Sequence, residues 1–141
     1  MDWSKLAAAS HYQTAVAVRQ ELAEANIEEA TRGLEELIDA LGRSDKRALR
    51  SQLTRLMTHI IKWRSQPSRR SRSWVASITD ARIEIASLLE DEPSLRREVP
   101  DIWDRCLQAA QRLARDETGL EPGGPGLTMG DVFDVTYTLD D

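Results

Sequence analysis

The sequence predicts an all-α fold, a single compact helical bundle of about five helices followed by an irregular C-terminal tail. Two observations carry this. Before residue 67 the chain holds no proline and only two glycines, Gly33 and Gly42, and apolar residues recur there at spacings of three and four, the period of a helix. After Thr118, by contrast, Gly119, Pro122, Gly123, Gly124, Pro125 and Gly126 crowd into a stretch that opposes both helix and strand. A chain of 141 residues that is 40% hydrophobic is large enough for one core. The expected division is a helical domain over residues 1–119 and a linker and tail over 120–141.

The first predicted helix runs from Trp3 to about Glu24. Asn26 and Glu29 stand at the spacing of a capping box, which starts a second helix over 27–41. That helix carries Ile27, Ala30, Leu34, Leu37, Ile38 and Leu41 on one face, and Gly42 supplies a left-handed stop. A third helix over 44–65 has the cleanest stripe in the chain, Leu49, Leu53, Leu56, Met57, Ile60 and Ile61, and ends before Pro67, which lacks a backbone donor. The fourth, over 70–91, repeats the pattern with Trp74, Ile78, Ala81, Ile85, Leu88 and Leu89. Pro93 suits a short turn and Pro100 the start of a fifth helix over 100–117, with a core face of Ile102, Trp103, Cys106, Leu107, Ala110, Leu113 and Ala114. Gly119 closes it. Thr128 and Asp131 can cap one short turn, and the closing DVTYTLDD reads as a docked or disordered tail.

The net charge of -5 conceals an uneven distribution. Arg43 to Ser73 holds ten basic residues against Asp45, a net charge of +9, and the remainder of the chain carries -14. Such asymmetry points either to an anion-binding surface or to a basic element wrapped by acidic helices. The single cysteine, Cys106, cannot form an intramolecular disulfide, and MDWSKLAAAS lacks the basic-then-apolar pattern of a secretory signal. A cytoplasmic location is expected. The longest uncharged run, Leu6 to Val18, is interrupted by polar residues and falls short of the ~20 apolar residues that span a bilayer, so no membrane association is expected.

The strings LEELIDALGRSDKRAL, HIIKWRSQPSRRSRSW, SLLEDEPSL and ARDETGL, between about Leu34 and Gly119, carry a family resemblance. Through them the chain resembles the bacterial domain-of-unknown-function family twenty-nine. The second string is long and compositionally unusual, which makes it specific. Leu37 departs from the family pattern, where a second acid is expected beside Glu36, and the C-terminal tail is divergent. The resemblance implies an all-helical fold in bacteria and no reaction, cofactor or catalytic residue.

Arg43, Arg47, Ser51, Arg55, Thr58 and Lys62 recur at three and four, which places them opposite the leucine stripe as a basic ridge. The loop SQPSRRSRS follows, bracketed by Trp63 and Trp74. Arg47, Arg55, Lys62, Arg64, Arg69, Arg70 and Arg72 with the two indoles are therefore the binding candidates: arginine forks hold phosphates and an indole stacks on a base. The alternative is structural, with both tryptophans in the core and the arginines paired to acids. His59, one turn after Arg55, is the weak catalytic candidate. The pair is similar to that of the HEPN helical-bundle ribonucleases, whose arginine and histidine stand further apart than the three intervening residues found here. Two histidines, of which His11 lies among alanines, and one cysteine without Glu-x-x-His spacing assemble no metal site, and no cofactor motif is present.

The apolar residues of the first helix, among them Trp3, Leu6, Tyr12 and Val16, point around most of its circumference, which suits a central helix or a homodimer contact. The leading expectation is a non-enzymatic interaction protein whose Arg43 to Ser73 surface binds an acidic partner, nucleic acid or an acidic protein segment. The alternatives are a metal-independent nuclease using Arg55 and His59, and a purely structural or assembly module.

Overall fold

The computed structural model describes residues 1–139, and the chain divides into two compact units, Met1–Arg47 and Ala48–Asp141. In the first, the expected single helix from Trp3 to Glu24 is two: α1 (Trp3–Ala9) and α2 (His11–Ala23). Ser10 makes the break. Its extended backbone donates to the Leu6 carbonyl to close α1, and its hydroxyl accepts from the Gln13 amide to open α2. A serine side chain competes for backbone donors in this way, which apolar periodicity does not register. After α2, Ala25 adopts a left-handed φ of 60°, and α3 begins at Ile27 as the spacing predicted. The Asn26–Glu29 capping box does not form: the Asn26 amide donates to Glu21 (2.8 Å), while Glu29 accepts from the Trp3 indole N–H (2.9 Å) and from Arg32 (2.9 Å).

The larger correction is α3 itself, a 39-residue helix from Ile27 to Ser65 that passes straight through Gly42. A glycine in a helix interior costs about 1 kcal/mol relative to alanine. Stopping there would leave up to four carbonyls to be capped, and no proline follows to prevent continuation. The face buried in the first unit also differs. Ala30, Gly33, Leu37 and Ala40 are buried, whereas Ile27, Leu34, Ile38 and Leu41 are each 42–60% exposed. At Ala30 and Gly33 small residues face inward because Trp3 packs there: a Cβ on Gly33 would lie 2.6–2.8 Å from three atoms of its ring. Trp3 forms a cluster with Val18 and Ala30, against which Leu6 and Ala17 pack.

In the second unit the α3 stripe is buried as expected, with Leu49, Leu53, Leu56, Met57 and Ile60 fully enclosed. Thr58 is buried too, rather than on the polar face, because its hydroxyl donates to the Thr54 carbonyl (2.7 Å) and needs no solvent. Pro67–Arg69 forms a 3-10 turn, and Ser71 caps α4 (Arg72–Asp91), which buries Ile78, Ala81 and Ile85. A second 3-10 turn, Pro93–Arg97, leads into α5 (Glu98–Thr118), which buries Val99, Cys106, Ala110 and Ala114 and leaves Leu113, expected in the core, 45% exposed at the edge of that face. Gly119 ends α5 in the left-handed conformation at φ 72°, as expected.

Beyond it the chain returns to this core. Leu127 and Val132 are buried in it, and α6 (Met129–Phe133) opens on the Thr128–Asp131 capping box that the sequence predicted. Tyr137 and Leu139 pack against the same cluster, so the tail is docked through its last described residue; Asp140 and Asp141 lie outside the described residues. The chain is all-α, with no strand among the described residues and no helix long and apolar enough to cross a membrane.

The two glycines of α3 test this arrangement with opposite signs. A Cβ on Gly42 meets nothing within 4 Å, so Gly42→Ala is expected to stabilise the protein by about 0.4–1 kcal/mol through helix propensity and a stiffer unfolded chain. Gly33→Ala should lower the melting temperature, because the methyl group displaces Trp3. Urea unfolding of both variants checks this, and a destabilised Gly42→Ala would mean that α3 breaks there.

Candidate functional site

The basic segment is not one uniform surface. Within the second unit, four of its cations are held by the protein itself. Arg55 Nη1 lies 2.8 Å from Asp80 Oδ2. Lys62 Nζ lies 2.8 Å from Glu117 Oε2 and 4.9 Å above the Trp74 ring. Arg64 pairs with Asp131 Oδ2 at 3.0 Å, and Arg70 donates from Nε to the Trp63 carbonyl (2.9 Å) with its guanidinium 4.7 Å from that residue's own ring. Trp63 is 6% exposed and Trp74 half-buried, so both indoles serve as seats for these internal cations. Arg69 and Arg72 are exposed and form no ion pair among the described residues, and Arg50 is half-buried beside Cys106, whose thiol reaches its carbonyl at 3.8 Å. Arg43 and Arg47 belong to the first unit, exposed at the edge of a cavity.

Asp131 ties the C-terminal segment into the second unit. Its carboxylate accepts from the Thr128 amide (2.8 Å) and pairs with Arg64, while its backbone carbonyl accepts from the Tyr137 hydroxyl (2.7 Å). The Thr128 backbone hydrogen bond foremost, with the Thr128 side chain and Arg64, holds this carboxyl below the usual aspartate range, against a smaller opposing effect of burial. Arg82 donates to the Val132 carbonyl (2.8 Å) and lies 5.4 Å from the Tyr137 ring, which meets Trp63 edge-on at 5.9 Å. Burial pushes the Tyr137 hydroxyl up from its ordinary value. Sequence reasoning found the Thr128–Asp131 cap, a local feature. The structural alternative, basic residues paired to acids, holds for Arg55 with Asp80 and Lys62 with Glu117; Arg82 and Tyr137, whose side chains reach across to other elements, were missed, and no local spacing signals such partners.

The weak catalytic pair is separated by its hydrogen bonds. His59 Nδ1 lies 2.9 Å from the Arg55 carbonyl, which can only accept, so Nδ1 is the donor of that bond. The Arg55 guanidinium turns instead to Asp80 and Gln52. Among the described residues no three His, Cys, Asp or Glu side chains converge as metal ligands. Of the four residues considered for a homodimer contact, Trp3 is enclosed in its own unit, Leu6 and Val16 are half-buried, and Tyr12 is 74% exposed. A depression of about 770 Å³ lies along α4 beside the tail, with Arg72, Asp80, Ile83 and Leu139 on its walls.

These features define an all-α protein whose distinctive side chains are arginines seated on aromatic rings, with no assembled metal centre among the described residues. The chain belongs to the family described as Domain of unknown function DUF29, which it matches over residues 10–138. The match takes in α2 and the docked tail as well as the basic loop. Comparison with curated proteins and with solved structures gives no match.

The Asp131 junction makes stability depend on acid. A carboxyl whose folded pKa is depressed contributes stability that is fully present above its unfolded pKa and disappears as the pH falls through the folded one. Asp131→Asn keeps a cap acceptor but removes the charge facing Arg64, so it should melt earlier than wild type at pH 7. The gap should close between about pH 5 and pH 2, where the wild-type carboxyl also becomes neutral. A gap that stays constant across this range would separate Asp131 from the ion pair.

Proposed function

We propose that this chain is a non-enzymatic interaction protein that binds an acidic partner, nucleic acid or an acidic protein segment, through cations of the Arg43 to Ser73 segment. The observation that carries the reading is the contrast between neighbouring arginines where α3 ends and α4 begins. Arg64 and Arg70 are tied down by Asp131 and by Trp63, whereas Arg69 and Arg72, on either side of the end of the Pro67–Arg69 turn, face solvent with no internal acid. Fixed neighbours hold the loop in one shape, so the free pair is presented with little further ordering, which favours binding. Local helix electrostatics does not require them, since the macrodipole rewards a charge by only ~0.3–1 kcal/mol and Lys62 and Arg64 already occupy the last turn of α3.

Binding of labelled RNA, DNA and an acidic peptide at low salt tests the proposal. The double variant Arg69→Gln with Arg72→Gln should keep wild-type stability to within about 0.5 kcal/mol. Its affinity for the bound polyanion should fall, and for a nucleic acid the salt slope should shrink by roughly 0.7–0.9 for each phosphate no longer neutralised. Arg70→Gln should instead destabilise the fold by about 1 kcal/mol, because the guanidinium no longer covers the Trp63 ring or bonds its carbonyl. Absence of polyanion binding by the wild type, or marked early unfolding of the double variant, would make this loop scaffold.

A further inference from the structure

The buried face of α3 in the first unit changes character along its length. Ala30, Gly33, Leu37 and Ala40 continue, at the same helical spacing, into the exposed Ser44 and Arg47, so the face ends in polar and charged residues. Across from it, the chain supplies methyl groups. Ala7 and Ala8 of α1 and Ala40 of α3 leave a cavity of about 310 Å³, and His11, the first residue of α2, joins Arg43, Ser44 and Arg47 in lining it. No carboxylate lines this cavity, and neither arginine forms an ion pair among the described residues. The α2 terminus does not create the site, since Ser10 already caps it through Gln13.

We propose that His11, Arg43, Ser44 and Arg47 bind a phosphate monoester group, the terminal phosphate of a small organic phosphate. Two guanidinium groups match the two negative charges of a monoester dianion and offer forked donors to its oxygens. The serine hydroxyl and an imidazole N–H add directional donors. The alanine floor sets the size. A volume near the lower end of ligand pockets accommodates a phosphate with a short carbon skeleton. The inference does not depend on polyanion binding at Arg69 and Arg72, which lie in the other unit.

The test is titration of the full chain with inorganic phosphate and, separately, with glycerol 3-phosphate, followed by 31P chemical shift or calorimetry. One saturable site per chain is expected, with the ester bound at least as tightly as the inorganic ion. Arg43→Gln and Arg47→Gln should each weaken it about tenfold or more, as expected when a charge-assisted hydrogen bond is removed, while Arg69→Gln with Arg72→Gln leaves it unchanged. Ala8→Leu keeps every charge and fills the cavity from an exposed position; it should abolish binding with the helical circular dichroism intact. No saturable binding by the wild type, or binding that survives Ala8→Leu in a folded protein, would overturn the proposal.

Discussion

The structure depends on the unbroken backbone of α3. That helix contributes Ala30 to the cluster around Trp3 and most of the large fully buried side chains, Leu49, Leu53, Leu56, Met57 and Ile60, to the cluster of the second unit. Within each unit the residues of α3 that face inward follow its 3.6-residue period. In folded proteins most helical stability comes from packing of an amphipathic face rather than from propensity. The helix continues through Gly42 between the buried Ala40 and Leu49, although the residues from Leu41 to Ser44 are exposed.

What was legible in the sequence follows from the range of the forces involved. The stripe of the second half of α3, the stops at Pro67 and Gly119, and the Thr128–Asp131 cap are local, and each was readable from residues within one or two turns. Gly42 was misread because one glycine costs a helix only about 1 kcal/mol relative to alanine, too little to end it where no proline follows. The inward face of the first half was misread for a different reason. Periodicity favoured the larger side chains, Ile27, Leu34, Ile38 and Leu41, but Trp3, 30 residues from Gly33 in sequence, needs the flat surface that only small residues offer. No spacing rule announces such a pairing. Of the candidate site, the sequence located the cations; it could not sort those held internally by Asp80, Glu117, Asp131 and Trp63 from those left facing solvent.

That sorting explains how an acidic chain tolerates so concentrated a basic segment. Clustered like charges repel by Coulomb interaction, and the cost grows as the groups leave water. Here the partly buried cations Lys62 and Arg64 each meet a carboxylate at 3.0 Å or less, and aromatic faces take Lys62, Arg70 and Arg82. Arginine stems also cover apolar ring surface that would otherwise be wet. Electrostatic and packing roles thus fall on the same side chains, which is why removing one of these arginines differs physically from removing Arg69 or Arg72.

The two units also differ in how they use apolar residues. The second encloses a broad core to which α3, α4, α5, the Pro93–Arg97 turn and the C-terminal segment all contribute. The first encloses Trp3, Val18 and Ala30 and leaves Ile27, Leu34, Ile38 and Leu41 well exposed on one stripe of α3. Buried apolar area is the main source of stability, so the first unit has less to hold it and relies more on specific contacts: the Trp3 indole on Gly33, its N–H on Glu29, and the Ser10 cap between α1 and α2. The Glu29 carboxyl is held below its usual range, by the Trp3 hydrogen bond first and by the Arg32 charge as well, so this contact favours the ionised acid. A small core closed by a few directional contacts opens more readily than a large one, and the cavity lined by Arg43 and Arg47 belongs to this less heavily packed unit. An anion joining His11 of α2 to Arg43, Ser44 and Arg47 of α3 would supply there the cohesion that apolar burial does not.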